Sequence, residues 1–367
     1  MASFAGVYGF YLDFTSKKNY GNNQRAYWMW FVCQYYISAK LKPALVDAPE
    51  MNKLSKIIAL VAVILAIFFI QACTFLAAPA QTTSPEINSY PLVPIDPAKL
   101  GQVDRDVTYG TADGVDLKMD AYYPDFATGA VPALLYVHGG AWVQGDKREG
   151  AGATEIPELR SRGYLVAAVN YRLAPDYKFP AQIEDVKCAV RFLRANAAVY
   201  GIDPNRIGAW GGSAGGHLVA LLGTTDASAG FEGDGGYAGE SSRVQAVVDM
   251  FGPTDLKALS LGIGSRFLYV LFGTVNSNSS IVKQANPITW VSKDDPPFLI
   301  LHGEDDDVVP VSQSEILYDR LMASRVPAML VIVENAGHGF APAGGIIDPS
   351  RTEITKMVGD FFDRYLK

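Results

Sequence analysis

Six short apolar runs lie between residues 133 and 333, and they limit the folds open to this chain more than any other feature. The runs do not alternate between apolar and polar residues, which is typical of strands buried on both faces of a parallel sheet. Segments with helical periodicity lie between and after them. This alternation predicts an α/β fold with a mostly parallel central sheet and helices on both faces. The runs are ALLYV (133–137), LVAAV (165–169), RIGAW (206–210), VQAVVDM (244–250), FLILH (298–302) and MLVIV (329–333).

A predicted hairpin precedes these runs and places the start of the folded domain near Val103. The segment RDVTYGTADGVDLKMDAYYP carries Asp113-Gly114 at or near its turn, a dipeptide typical of tight hairpins. With 367 residues, 49% of them hydrophobic, the chain can bury a large core. We therefore predict one domain over residues 103–367, in which the long mixed region 253–296 forms a cap or an excursion lining the binding site.

Residues 51–73 have the pattern of an export signal. Two lysines precede an uninterrupted apolar run of about 14 residues, whereas a membrane span needs about 20. The segment FIQAC that follows resembles a bacterial lipoprotein cleavage box and makes Cys73 the predicted lipidation site. An uncleaved anchor is the alternative, because apolar residues resume at Phe75.

An export signal normally begins a protein, yet this one begins only at Met51. We expect translation to start there, with residues 1–50 an upstream extension outside the mature protein; peptides from 1–50 in the natural product would contradict this. Residues 74–102 contain a polar, proline-rich stretch and are predicted to be a linker. The protein is then expected in the bacterial envelope, secreted or anchored as a lipoprotein, with membrane contact through its N-terminal segment only.

Charge and cysteine content exclude several classes of protein. The formal net charge is −7, so the chain has no basic footprint for nucleic acid. Its cysteines, Cys33, Cys73 and Cys188, form no close pair, and neither a disulfide framework nor a cysteine metal site is indicated. We expect Cys188 to be a small buried helix residue.

Ser213 lies among four glycines in IGAWGGSAGGHLVALLG, between a predicted strand and a predicted helix. The segment 211–215 matches G-x-S-x-G, an elbow in which a sharp strand-to-helix turn raises a serine hydroxyl clear of the sheet. Glycines avoid clashes at such a turn, and the helix start leaves free N–H groups beside the serine. The pattern predicts that Ser213 is a nucleophile.

A serine nucleophile needs a base that accepts its proton, and histidine is the usual one. The chain has four histidines, His138, His217, His302 and His338. On a strand-to-helix elbow the order along the chain is serine, acid, histidine, and only His338 follows Ser213 with room for an acid before it. We expect His217 to pack behind the nucleophile and His302 to order the turn after its strand.

The acid of such a triad holds the imidazole tautomer and stabilises the imidazolium that forms. Acidic residues follow a predicted strand in HGEDDDVVP, and two more lie one strand earlier. Position alone leaves the choice among them open. The candidates are Glu304, Asp305, Asp306 and Asp307, with Asp249 and Asp255 as outside candidates.

An oxyanion hole is predicted from LLYVHGGAW, where Gly139 and Gly140 follow a strand. Glycines let backbone N–H groups face a developing oxyanion without intervening side chains. The loop is of the HGGG type, with Ala141 in the fourth position, and the N–H of Ala214 is the expected partner donor.

Together these motifs make residues 103–367 resemble the α/β-hydrolase superfamily, most closely its hormone-sensitive-lipase-like and bacterial feruloyl/acetyl esterase (BD-FAE-like) group. The landmarks are HGGAWVQGDK, VNYRLAPDYKFPAQIEDV, DPNRIGAWGGSAGGHL, VVDMFGPTDL, HGEDDDVVP and GHGF, in this order. The resemblance implies that Asp306 is the acid, His338 the base and Ser213 the nucleophile. It departs from the HGGG pattern at HGGA, followed by Trp142, which we expect to contact substrate.

The resemblance implies a serine carboxylesterase that needs no cofactor or metal. Its expected substrate is a small-molecule ester of a short acyl group, such as an acetyl or feruloyl group on carbohydrate. HGG-x-W also resembles arylformamidases, so an amide hydrolase is one alternative. A non-catalytic binding lipoprotein on a hydrolase scaffold is the other. Besides Trp142, regions 224–243 and 253–296 are expected to form the pocket walls.

Overall fold

A computed structural model provides the structure of the protein and describes residues 91–259 and 265–367. Four predictions fall outside these residues and stay predictions. They are the upstream extension 1–50, the export signal 51–73, the lipidation site Cys73, and the linker as far as residue 90.

The described residues form an eight-stranded sheet. The strands are β1 (Val103–Ala112), β2 (Val115–Tyr122), β3 (Val131–Val137), β4 (Leu165–Val169), β5 (Ile202–Gly212), β6 (Ala246–Met250), β7 (Phe298–Gly303) and β8 (Ala328–Val333). Their order across the sheet is β1-β2-β4-β3-β5-β6-β7-β8. The pairs β1–β2 and β2–β4 are antiparallel and the remaining pairs are parallel, which confirms the predicted, mostly parallel sheet.

Helices lie between and after the strands, as the periodicity predicts for the connections outside region 253–296, with short 3₁₀ turns beside some of them. The α-helices are α1 (Ile156–Ser161), α2 (Ala181–Ala195), α3 (Ala197–Tyr200), α4 (Ala214–Thr224), α5 (Leu256–Leu259), α6 (Ser265–Phe272), α7 (Ser280–Gln284), α8 (Pro287–Trp290), α9 (Ser312–Ala323) and α10 (Arg351–Leu366).

The hydrophobic core lies in two layers, one on each face of the sheet. Leu135 of β3 belongs to a buried cluster with Leu218 of α4, whereas its neighbour Leu134 belongs to a second cluster with Phe362 of α10. Adjacent residues of a strand point to opposite faces, so α4 and α10 cover opposite faces of the sheet. The prediction of helices on both faces is confirmed.

The N-terminal hairpin turns at the predicted dipeptide. Ala112 pairs with Val115, leaving Asp113 and Gly114 as a two-residue loop. Both loop residues have positive φ, 49° and 75°, which is the conformation that a tight hairpin turn requires and that Asp-Gly favours.

The last part of the predicted linker packs against the domain. Ile95 is 5% exposed. Gly201 has a φ of +63°, and a Cβ there would lie 2.5 Å from the Ile95 backbone, so the two segments touch closely. The folded domain therefore includes residues just before the predicted boundary at Val103.

The described part of region 253–296 contains four short helices, α5 to α8. Helix α8 packs against α4 and α9. The carbonyl of Leu271 in α6 accepts a hydrogen bond of 2.9 Å from the N–H of Phe179. The described part of this region therefore covers α4 and the loop before α2.

Gly215, in the first turn of α4, provides a test of the contact between this helix and β3. A Cβ at Gly215 would lie 2.1 Å from the Val137 carbonyl oxygen and 2.7 Å from that of His138. Neither backbone oxygen can move without disturbing the sheet, so Gly215→Ala is expected to lower the free energy of unfolding by about 3 kcal/mol. The measurement is urea unfolding.

Gly129→Ala is the matched control, since no atom lies within 4 Å of a Cβ at this position. It is expected to stay within about 0.5 kcal/mol of the parent. Equal stability of both variants would contradict the close packing of α4 on β3.

Candidate active site

Ser213 sits at the turn between β5 and α4, as the elbow motif predicts. Its φ of 58° and ψ of −121° lie in a region that residues other than glycine rarely adopt. The turn is held by a 2.9 Å hydrogen bond from the Ser213 N–H to the carbonyl of Met250 at the end of β6. The strained backbone therefore presents the Ser213 side chain at the carboxyl edge of the sheet.

The structure brings the three predicted residues of the triad together. The Oγ of Ser213 lies 3.0 Å from Nε2 of His338, and Nδ1 of His338 lies 2.7 Å from Oδ2 of Asp306. A carboxylate only accepts, so we assign the proton of the neutral imidazole to Nδ1, which leaves Nε2 to accept the serine hydroxyl. This is the arrangement that lets a histidine remove a serine proton.

Asp306 is buried, unlike its acidic neighbours Glu304, Asp305 and Asp307, which are exposed. Its Oδ1 accepts hydrogen bonds from the N–H groups of Val308 at 2.9 Å and Val309 at 2.8 Å. Burial alone would raise the pKa of Asp306, but the imidazoles of His302 and His338 and a backbone N–H hold it well below its usual range. The carboxyl is therefore ionised beside His338 at neutral pH.

The two outside candidates for the acid lie elsewhere. Asp255 caps the start of α5, where its Oδ1 accepts from the N–H of Lys257. Asp249 of β6 is fully buried, and its Oδ1 accepts from the N–H of Gly252 at 3.0 Å. Only Asp306, among the six candidates, has a hydrogen bond to His338 in the described part of the chain.

The ring of Phe251 packs against the ring of His338, a contact that the sequence does not predict. The two rings are 5.0 Å apart and inclined at 67°, and Phe251 also packs edge to face on Phe340. Phe251 has a φ of 45°, which is unfavourable for a side chain of this kind. An isolated phenylalanine after a strand gives no sequence signal of such a role.

The predicted oxyanion loop follows β3 and faces the serine. A Cβ at Gly139 would lie 2.9 Å from the Gly212 carbonyl oxygen and 3.4 Å from the Ser213 Cβ, so this position needs a glycine. Nδ1 of His138 donates to the carbonyl of Gly139 at 2.7 Å, and the His138 ring stacks on Tyr171 at 4.4 Å. These contacts hold the loop in one conformation.

The donors expected for an oxyanion are available at this loop. Within residues 91–259 and 265–367, the N–H groups of Gly139 and Gly140 have no backbone acceptor. Ala214 is the first residue of α4, and the N–H groups of a first helical turn have no partner within the helix. All three predicted donors therefore lie in segments that adjoin Ser213.

Trp142 does not line the site, contrary to the expectation that it contacts substrate. Its side chain is only 5% exposed, and its indole N–H donates to Nδ1 of His217 at 3.2 Å. The two rings meet edge to face at 5.2 Å. This contact joins the oxyanion loop to α4, two segments that are far apart in sequence, and it keeps the tryptophan side chain away from the cleft.

The predictions for His217, Cys188 and His302 agree with the structure. His217 is fully buried, and its Nε2 bonds to the carbonyl of Ala285 at 2.7 Å. Cys188 is a buried free thiol on α2. His302 lies at the end of β7 and contacts the turn that follows it.

A cleft of about 610 Å³ opens at Ser213 and His338. Its walls contain no residue of 224–243 or of the described part of 253–296, so the predicted pocket walls are wrong for this cleft. The lining side chains include the apolar Tyr136, Phe251 and Val308 and the polar Gln144, Asp146 and Glu149.

Metal-binding clusters and membrane-spanning helices are both absent from the residues that the structure describes. Among residues 91–259 and 265–367, no group of three or more His, Cys, Asp or Glu side chains is arranged to hold a metal ion. In the same residues, no helix combines the length and the apolar character needed to cross a membrane.

The sheet order, the elbow and the triad geometry are those of an α/β-hydrolase. A family model, BD-FAE, matches residues 119–321, just over half of the chain. The chain belongs to this family.

Named esterases are among its relatives in sequence. Esterase LipC of Mycobacterium tuberculosis is 36% identical over 237 residues, which cover 63% of this chain and 57% of LipC. The probable carboxylic ester hydrolase LipM of the same organism is 34% identical over 247 residues, covering 65% of this chain and 56% of LipM. The chain thus spans a little over half the length of these relatives.

Solved esterase structures share the fold. A truncated form of carbohydrate esterase from gut microbiota is 32% identical with a TM-score of 0.65, covering 74% of this chain and 98% of that one. An acetyl ester-xyloside bifunctional hydrolase from Caldicellulosiruptor lactoaceticus is 25% identical with a TM-score of 0.60, covering 75% and 98%.

Asp249 predicts a pH-dependent difference in stability. Burial raises its pKa to about 6, while His302 and the N–H of Gly252 oppose the rise. The folded chain holds this proton more tightly than the unfolded chain, so stability from this group is present in acid and is lost as pH rises through about 6. From pH 4.5 to 7.5, the wild type should lose about 2 kcal/mol relative to Asp249→Asn, which cannot titrate.

Urea unfolding of both proteins at the two pH values measures this difference. The other titrating groups are shared and cancel in the comparison. A stability difference that is the same at pH 4.5 and 7.5 would show that Asp249 titrates normally.

Proposed function

We propose that this protein is a serine carboxylic ester hydrolase acting on short acyl esters. The observation that carries the proposal is the chain of hydrogen bonds from Ser213 through His338 to Asp306, 3.0 and 2.7 Å long. Beside it lie the N–H groups of Gly139 and Gly140, which have no backbone acceptor among the described residues. The names of LipC and LipM as esterase and carboxylic ester hydrolase support it.

In the proposed first step, Ser213 Oγ attacks the ester carbonyl carbon while Nε2 of His338 accepts the hydroxyl proton. The carbonyl oxygen becomes an oxyanion and is stabilised by the N–H groups of Gly139, Gly140 and Ala214. Asp306, held ionised, stabilises the imidazolium through Nδ1.

Collapse of this intermediate breaks the bond to the alcohol oxygen, which takes the proton from His338 and leaves as the free alcohol. Water then attacks the acyl-enzyme, again giving its proton to His338. The acid departs and Ser213 regains its hydrogen. The cycle consumes one water and needs no other reactant.

We further propose acyl groups on carbohydrate, such as acetyl or feruloyl, as the natural targets. The cleft carries amide and carboxylate side chains, Gln144, Asp146 and Glu149, which can accept hydrogen bonds from sugar hydroxyls. Two similar structures are named for a carbohydrate esterase and an acetyl ester-xyloside hydrolase. Export to the envelope, proposed from residues 51–73, would place the protein beside such polymers.

Hydrolysis of nitrophenyl acetate, butyrate and octanoate tests the proposal. We expect the highest kcat/KM on the acetate. Ser213→Ala should lower kcat by about 10⁶-fold because the nucleophile is lost. Asp306→Asn should lower it by about 10⁴-fold because the His338 tautomer is no longer held.

Other outcomes would redirect the proposal. Activity that rises with chain length would contradict the preference for short acyl groups. Full activity in Asp306→Asn would move the role of the acid to another carboxylate. A folded protein without activity on any ester, but active on N-formyl anilides, would favour the amide hydrolase; inactivity on both would favour a binding protein.

A further inference from the structure

His302 is a buried histidine beside the triad, and the reaction described above does not use it. It is the last residue but one of β7, four residues before Asp306, and is fully buried. Its Nδ1 lies 2.6 Å from Oγ of Ser314 on α9, and its Nε2 lies 2.8 Å from the carbonyl oxygen of Val309. Both ring nitrogens are thus engaged.

The partners determine where the ring proton sits. A carbonyl only accepts hydrogen bonds, so Nε2 carries the proton and donates to Val309. Nδ1 of the neutral ring then accepts from the hydroxyl of Ser314, which is also fully buried. Ser314 therefore holds His302 in the tautomer that points its N–H at the acid turn.

The same N–H also faces the carboxylate of the triad. Nε2 of His302 is 3.4 Å from Oδ2 of Asp306, the oxygen that accepts from Nδ1 of His338. Oδ2 thus accepts from Nδ1 of His338 and also contacts the His302 ring, while Oδ1 accepts from two backbone N–H groups. These contacts on both oxygens limit rotation of the carboxylate.

The bond to Val309 acts on the same turn from its far end. Residues 306–309 connect β7 to the segment before α9, and the N–H of Val309 donates to Oδ1 of Asp306. The carbonyl of Val309 accepts a hydrogen bond from His302, and the N–H of Val309 donates one to Asp306. The His302 ring therefore contacts the carboxylate and also holds the turn that carries it.

We propose that His302 is a positioning residue: through its hydrogen bond to Val309 and its contact with Oδ2, it holds Asp306 in the orientation that accepts the hydrogen bond from Nδ1 of His338. It acts through Asp306 and touches neither substrate nor the reacting atoms. The inference rests on the proposed function for its kinetic effect only, since the hydrogen bond between Asp306 and His338 exists independently of any substrate.

Titratable and polar groups face His302 from three elements besides its own strand. Asp306 faces it from its own turn and Ser314 from α9. Asp249 on the neighbouring strand β6 is a second carboxyl that interacts with it. On β8 its paired residue is Ile332, which carries no charge.

Two substitutions at this position separate positioning from packing. His302→Leu fills the space but has neither a hydrogen-bond donor nor an acceptor. His302→Gln keeps one of each, because its amide N–H can replace the donor nitrogen of the ring and its carbonyl oxygen the acceptor nitrogen. We expect His302→Leu to lower kcat about 10- to 100-fold with little change in KM, because the base is misplaced. His302→Gln should raise kcat about tenfold above the leucine variant.

A proton NMR measurement reads the positioned bond directly. The His338 Nδ1–H signal lies far downfield when it is strongly bonded to Asp306. We expect this signal to move upfield or broaden in His302→Leu and to return in His302→Gln. Ser314→Ala, which leaves the His302 ring in place but frees its tautomer, should produce a smaller shift in the same direction and covers the case in which His302→Leu does not fold.

His217→Leu is the matched control, because His217 is an equally buried imidazole with hydrogen bonds on both nitrogens and no contact with Asp306. It is expected to lower stability without moving the His338 signal. An unchanged signal and unchanged kcat in folded His302→Leu or Ser314→Ala would overturn the proposal, as would an equal shift in His217→Leu. If the wild type hydrolyses no ester, the proposed function fails, and the NMR comparison still decides the role of His302.

Discussion

The close approach of α4 to the carboxyl end of β3 is the constraint on which the site depends. Gly215 leaves no space for a Cβ against the Val137 carbonyl, and Gly139 leaves little against Gly212. With these two glycines, the start of a helix and the oxyanion loop lie against the same serine. Side chains at either position would push the proposed oxyanion donors away from the nucleophile.

The rest of the site is built from loops that leave neighbouring strands. Ser213 follows β5, Asp306 follows β7 and His338 follows β8, so the parallel register of the sheet brings residues up to 125 positions apart to one edge. Buried side chains then hold each loop. Trp142 fastens the oxyanion loop to His217, Phe251 supports His338, and His302 contacts the acid turn.

Much of this arrangement could be predicted from the sequence. Buried strands, the elbow glycines and the order of serine, acid and histidine depend on local patterns and short spacings, and the structure places Ser213 and His338 together as these patterns predict. The choice of Asp306 over its acidic neighbours came from the resemblance, because four consecutive carboxylates look equivalent until the turn buries one of them.

Other features depend on contacts between distant segments, which no local pattern encodes. The sequence predicts that Trp142 contacts substrate, whereas its side chain is buried and its indole N–H donates to His217, 75 positions away. The sequence predicts pocket walls from regions 224–243 and 253–296, whereas the described cleft is lined mainly by the loops that contain the oxyanion donors and the triad. Phe251 reaches His338 from a backbone with positive φ, a conformation that the sequence around it does not predict.

The most direct test of the account is covalent labelling by a fluorophosphonate probe, with the modified peptide identified by mass spectrometry. The account predicts one adduct per protein molecule, located on Ser213. This adduct should be lost when His338 is replaced by alanine. No adduct in the folded protein, or an adduct on a different residue, would contradict the claim that Ser213 is the activated nucleophile.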